Sequence, residues 1–193
     1  MNVKHTFFLP LFLLIFAGCS AFGPDYEAAA FTIEGDKAIM RGVIDGTTPE
    51  RVEALIEDHP EVKTIVMQHV PGSVDDESNL KAARLIREHG FHTHVPAIDE
   101  EGIASGGVDF FLAGVQRTVE TGANLGVHSW AAGDGTTGAD VPKDDAQHKL
   151  YLDYYAEMGI PADFYWFTLE AAPAESIHWM TAEEIETYQM TTE

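Results

Sequence analysis

The chain has one cysteine, Cys19, among 193 residues. A single thiol excludes an intrachain disulfide, so the fold must rest on its own core. Basic residues are also scarce: 11 Lys and Arg stand against 32 Asp and Glu, a formal charge of -21. A surface of that sign repels nucleic acid and anionic lipid headgroups and suits a salty or extracytoplasmic setting. The amino-terminal apolar run, Phe7–Ala17, falls short of the about 20 residues that span a bilayer. Internal repeats, low-complexity tracts and interior linkers are missing as well, which leaves one domain from about Phe31 onward. A chain of 193 residues with 45% apolar content is long enough for one domain with an ordinary core.

The first nineteen residues read as a targeting segment. Lys4 gives a small positive region, Phe7–Ala17 an apolar one, and the segment ends in Phe16-Ala17-Gly18-Cys19. That ending resembles a bacterial lipobox, in which the cysteine is lipidated and becomes the first residue of the mature chain. Phe16 stands where the motif usually has Leu. The alternative is a plain secretory signal with Cys19 incidental. An exposed lone thiol would be a liability in an oxidising compartment, which favours lipidation. The expected layout is a lipoprotein-type signal peptide over 1–19, a tether over 20–30 with Gly23-Pro24 as breaker, and the domain over 31–193. The resemblance implies a periplasmic or cell-envelope protein that meets the membrane only through its lipid anchor.

Along the domain, Phe31–Glu34 and Lys37–Ile44 read as strands around a Gly35-Asp36 turn. Thr48-Pro49 opens a helix that Pro60 ends, with Val52, Leu55 and Ile56 on its apolar face. Lys63–His69 is a strand of the buried type. Asp75–His89 is a helix with Leu80, Ala83, Leu85 and Ile86 on its apolar side, and Phe91–Val95 is a further strand. The alternation of strands and helices predicts an α/β fold with a mainly parallel sheet. The glycine-rich loop Ala131–Val141 shows no packing pattern and is expected to move over the site. Pro142–Met158 is read as a helix with Leu150, Tyr154 and Met158 in line. A helix over Ala162–Glu170 follows, and a last one over Thr181–Tyr188 carries Thr181 and Glu184 as a capping box.

The chemistry concentrates in Ile103–Trp130, IASGGVDFFLAGVQRTVETGANLGVHSW. A serine nucleophile needs a base, and a developing oxyanion needs backbone N–H donors. Ser105 is the candidate nucleophile, His128 the candidate base and Gly106 a candidate donor. The plain alternative makes Ser105 an N-cap, Gly106-Gly107 a close-packing pair and His128 an ordinary strand-end residue.

The strings IASGG, FFLAG, RTVETGANLG and VHSW together resemble the core of the Clp-protease/crotonase superfamily. The Ala-Ser-Gly-Gly turn is also similar to that of signal peptide peptidase A. The resemblance covers about Phe31–Met190 and implies the ClpP/crotonase-like fold, with repeated strand-helix units and C-terminal helices. It places the nucleophile at Ser105 and the base at His128. It also implies that the turn Val70-Pro71-Gly72-Ser73 stands where those families read Ser-Pro-Gly-Gly, so that Gly72, Ser73 and Gly106 form the oxyanion hole. Either Ser73 replaces the second glycine there or one glycine is missing and the turn is shorter; the N–H survives either way, but Ser tolerates positive φ poorly.

The block Ile177-His178-Trp179-Met180-Thr181-Ala182-Glu183-Glu184 matches the family too, but its acid slot holds Ile177. Glu175, Asp140, Asp144 or Asp145 are the substitutes for a third member, and a backbone carbonyl holding the histidine is another. His92 and His94 share one strand face without further ligands at useful spacing, so neither a metal nor another cofactor is expected. The aromatic run Phe164–Phe167 points to core packing or a subunit contact. The leading reading is an extracytoplasmic serine hydrolase or peptidase with a peptide or protein substrate and no nucleic-acid partner. The alternative is a non-catalytic scaffold or binding lipoprotein of the same fold. An acyl-CoA enzyme of the crotonase type is disfavoured by export. Homo-oligomerisation stays open.

Overall fold

The computed structural model describes residues 26–98 and 102–192. The lipobox-like Cys19 and its signal segment lie outside the described residues. A five-stranded sheet runs in the order β1-β2-β3-β4-β6, with β1 at Ala30–Glu34, β2 at Lys37–Arg41, β3 at Thr64–His69, β4 at His92–Val95 and β6 at Arg117–Val119. The β1–β2 pair is antiparallel, and the other neighbours in this sheet are parallel. A second sheet of three strands joins β5 (Ile103–Ala104), β7 (Leu125–Val127) and β8 (His178–Trp179). The mainly parallel α/β arrangement expected from the alternation of elements is present.

Helices α1 (Thr48–Asp58) and α2 (Asp76–Glu88) pack on each other beside the larger sheet. Ala38, Met40, Ile65 and Met67 of β2 and β3 are fully buried, and Ile39 and Val66 of the opposite face are buried too, so these strands are covered on both faces, as parallel strands are. Helix α3 (Gly106–Leu112) is buried along its whole length and sits between the two sheets. It is followed by α4 (Lys149–Met158), α5 (Ala162–Ala171) and α6 (Ala182–Thr187). The capping box of Thr181 and Glu184 forms on α6. Buried Arg117 donates from Nε to the Met190 carbonyl at 2.8 Å, which ties the carboxy-terminal residues to β6.

Several expectations are corrected. The tether does not run to residue 30: Ala28 bridges Val43, Ala29 is fully buried, and Arg51 donates to the carbonyls of Ala28 and Ala29. The cap of α1 is Thr47 rather than Thr48, and Asp45 fastens the entry by accepting from Thr47 N–H and Oγ1. The helix read from Pro142 begins later, because Asp145 caps a short 3-10 turn at Ala146–His148 ahead of α4. Leu150 is 39% exposed, and the buried stripe is Tyr151, Tyr154, Tyr155 and Met158. The Ala131–Val141 loop has its own frame: Ala131 bridges Thr137, and buried Gly138 donates to the Trp130 carbonyl.

Candidate functional site

The two sheets separate at the carboxyl end of β3. Val70 bridges Ile103, so the chain leaving β3 pairs with β5 instead of β4. The Ala104 N–H donates to Val70 and the Ser105 N–H donates to the Gly126 carbonyl at 2.9 Å. Ser105 is thereby suspended between the β3 exit and β7 at the mouth of α3. Its backbone lies at φ 53° and ψ −129°, in a region that non-glycine residues avoid. It occupies the cap position of α3, yet its hydroxyl makes no capping bond. An ordinary N-cap has an extended backbone and a bonded side chain, so capping does not account for Ser105.

Glycines make this turn. Gly72 has φ 149°, and a Cβ there would lie 3.2 Å from Ser105 Cβ and 3.5 Å from its Oγ. On the other side, a Cβ on Gly107 would collide with the Val70 carbonyl, and one on Gly106 would collide with the Ser73 side chain. The Asn79 amide of α2 donates to the Gly106 carbonyl at 2.8 Å and pins the start of α3. Ser73 keeps an ordinary negative φ and donates its hydroxyl to Asp76 Oδ1 at 2.5 Å. The N–H groups of Gly72 and Ser73 donate to no described backbone acceptor, and that of Gly106 precedes the first bond of α3.

Ser105 and His128 line one narrow pocket together with Asp76, Asp109, Tyr151 and Tyr155, closed further by Trp130, Phe164 and Tyr165. His128 follows β7 directly and is half-buried. Its Nδ1 lies 2.8 Å from the Ser129 carbonyl oxygen. A carbonyl only accepts, so Nδ1 carries the hydrogen and Nε2 of the neutral ring is left as the acceptor. Neither Ser105 Oγ nor His128 Nε2 bonds to a described residue, and no direct hydrogen bond joins the two.

The expected carboxylates are elsewhere. Glu175 and Asp144 are exposed, and Asp140 accepts from Thr137 Oγ1 on the surface. Asp145 is spent on the 3-10 turn. None of the four lines the pocket. Ile177 sits one register step past the Val127–His178 pair, opposite His128. The position that register sets opposite His128 is thus filled by an apolar, β-branched side chain, where the resemblance implies an acid.

Two carboxylates that sequence reasoning passed over do face the pocket. Asp109 lies on α3 four residues after Ser105, on the same helix face, and is 9% exposed. Its Oδ1 accepts from the Tyr155 hydroxyl at 2.6 Å. Burial pushes its carboxyl up to about 7; the Tyr155 bond opposes that rise, and the charge of Asp76 adds to it. Asp76 Oδ2 accepts from the Tyr151 hydroxyl at 2.6 Å. Burial, and then Asp76, raise the Tyr151 phenol far above its usual range. A lone acid inside the apolar helix GGVDFFLAG was the available signal for Asp109. Tyr165 accepts from Trp130 Nε1 at 2.9 Å and donates to His148 Nδ1 at 2.6 Å, and burial holds its phenol up at about 12. Within the aromatic run, Phe164 and Tyr165 are core residues that also reach the pocket.

His92 and His94 lie away from this site on β4. His94 Nδ1 pairs with Thr118 Oγ1 at 2.8 Å, and its Nε2 lies 3.4 Å from Glu120. Among the described residues no group of three or more His, Cys, Asp or Glu is placed to hold a metal ion, and no helix is long and apolar enough to cross a membrane.

The architecture is the ClpP/crotonase-like fold. Among solved structures, the chain is similar to a lysine-to-alanine variant of the 1510-N membrane-bound stomatin-specific protease in complex with a substrate peptide: TM-score 0.52, 14% identity, 78% of this chain and 71% of that one. A serine-to-alanine variant of the same protease gives TM-score 0.52 at 12% identity, over 78% of this chain and 75% of that one. An enoyl-CoA hydratase from Shewanella pealeana aligns with TM-score 0.46 and 7% identity, over 84% of this chain and 66% of that one. No family model and no curated protein matches the sequence.

Proposed function

We propose that the chain is a serine hydrolase acting on peptide bonds, with Ser105 as nucleophile and His128 as general base. The backbone of Ser105 carries this reading. A non-glycine residue held at φ 53° in a strand-to-helix turn, with its hydroxyl uncommitted and a histidine in the same pocket, is an expensive arrangement. Such strain costs about 1–3 kcal/mol and persists only where the surroundings impose it. It is also the local geometry by which a nucleophile elbow projects a serine oxygen.

On this reading Ser105 Oγ attacks the scissile carbonyl carbon as His128 Nε2 takes its proton. The oxyanion is received by N–H groups of Gly72, Ser73 and Gly106. The tetrahedral intermediate collapses, Nε2 returns the proton to the leaving amine, and water then hydrolyses the acyl-serine. The Ser129 carbonyl orients the imidazole as an acid would, without that acid's charge to stabilise imidazolium, so turnover is slow. A fluorophosphonate probe should label the wild type at Ser105 and leave Ser105→Ala unmarked. Wild-type protein that stays unlabelled under conditions that modify a control serine hydrolase would support the binding-scaffold alternative, which is favoured by His128 having no carboxylate hydrogen-bonded to it among the described residues.

The lipobox-like Phe16-Ala17-Gly18-Cys19 supports a lipid-anchored protein of the periplasm or cell envelope. A fatty-acid probe fed to expressing cells should mark the wild type and not Cys19→Ala; equal marking of both would remove the anchor.

A further inference from the structure

We infer that Asp109 makes this pocket selective for a lysine side chain on the acyl side of the scissile bond, a specificity that rests on the serine-hydrolase reading above. Asp109 and Ser105 lie four residues apart on α3 and line one pocket, so on this reading the carboxylate stands in the cavity that the acyl-side residue would enter. Only one carboxylate oxygen is used: Oδ1 accepts from Tyr155, while Oδ2 has no described partner. The residue is nine-tenths buried and lines the pocket, so the part left accessible faces the cavity.

No Lys or Arg lines the pocket to compensate that oxygen. Asp76 adds a second negative group, and its own oxygens are engaged by Ser73 and Tyr151. A buried carboxylate with one open oxygen and no cation asks for a cation from outside. The half-buried Trp130 ring at the pocket gives the methylene stem of such a group an apolar surface to lie on. Lysine fits better than arginine. A guanidinium binds a carboxylate through two oxygens in a planar fork, whereas an ammonium needs one. The formal charge of -21 also draws cationic peptides toward the protein.

The test has two arms. In the first, acyl esters differing only in Lys, Arg, norleucine or Glu on the acyl side are assayed for kcat/KM with wild type, Ser105→Ala and Asp109→Asn. The expected result is a preference for Lys over norleucine of about tenfold or more, with the ratio falling to near one in Asp109→Asn. Ser105-dependent turnover with norleucine equal to or better than Lys overturns the inference and leaves the hydrolase reading standing. In the second arm, butylammonium and its neutral isostere butanol are titrated by NMR into wild type and Ser105→Ala. Butylammonium should perturb Asp109 and its Tyr155 neighbour in both proteins, and butanol should not. If no ester is hydrolysed, the hydrolase reading fails and this arm alone decides the site: equal response to both probes, or none, overturns it. Tyr155→Phe, which keeps the carboxylate, should retain the preference for Lys and guards against an Asp109→Asn protein that does not fold.

Discussion

On one side of the pocket the main chain does the holding; on the other, hydroxyls and carboxylates do. The first side consists of the Gly72 turn, the strained Ser105 backbone and the His128 ring bonded to the Ser129 carbonyl. The second consists of Asp76 and Asp109 bonded to Tyr151 and Tyr155, with Tyr165 joined to Trp130 and His148 behind them. Peptide groups do not titrate, so the Gly72 turn and the Ser105 backbone keep their shape at any pH that keeps the fold. The second side contains an acid held near neutrality by burial, and its bonds change character as that proton leaves. Position is supplied by one side and charge by the other.

The largest expected effect comes from blocking the main-chain side. Gly72→Val places branched carbon where Ser105 Oγ needs room, at a φ that β-branched residues rarely adopt. Removal of oxyanion support typically costs about 10²–10³ in turnover, so fluorophosphonate labelling should slow by at least that order. Labelling within a few-fold of wild type would mean that Gly72 does not bound the reacting atoms.

The charged side is tested through pH. Burial pushes the Asp109 carboxyl from its ordinary 3.8 up to about 7. Its folded-state affinity for the proton exceeds that of the unfolded chain, so its contribution to stability falls as pH rises from about 4 to about 7. The loss is on the order of a few kcal/mol. Asp109→Asn should flatten that segment of the curve in urea unfolding, while the pH dependence outside it persists. A difference between wild type and Asp109→Asn that stays flat over this window would show Asp109 ionised in the fold.

A smaller effect is expected where the two sides could be made alike. Ile177→Asp puts a carboxylate one register step beyond the Val127–His178 pair, facing His128. It must compete with the Ser129 carbonyl for Nδ1, so the gain in Ser105-dependent turnover should be about tenfold, well short of the about 10⁴ attached to an orienting acid in a full triad. Glu175→Gln, Asp140→Asn and Asp144→Asn serve as controls and should stay within twofold, because these groups lie outside the pocket. A large loss in any of the three would place a carboxylate on His128 in solution.

Much of this was legible in the residue string, for reasons that differ along the chain. Thr181 and Glu184 form their capping box because both partners lie within one turn, and a local bond needs no help from the fold. The Ser-Gly-Gly turn was readable because β5, Ser105 and α3 are contiguous. In the α4 stripe Tyr154 and Met158 are buried as their spacing implies, whereas Leu150 has the right spacing but faces solvent while Tyr151 turns inward. Spacing gives a period, and the phase is chosen by what packs against the helix.

By itself the sequence determined the alternation of strand and helix, the strongly acidic surface, the glycines around Ser105 and the absence of a disulfide. Those follow from local backbone preference, side-chain period and composition, which need no long-range contact. Only the tertiary structure decided what holds His128 and what shares its pocket. Asp76, Asp109 and Tyr151 stand 33 and 42 residues apart along the chain, and they meet because α2, α3 and α4 converge where the two sheets part. Whether a carboxylate is exposed at Glu175 or buried at Asp109 is set by that convergence, since burial is a property of all the elements around a group and of none of them alone.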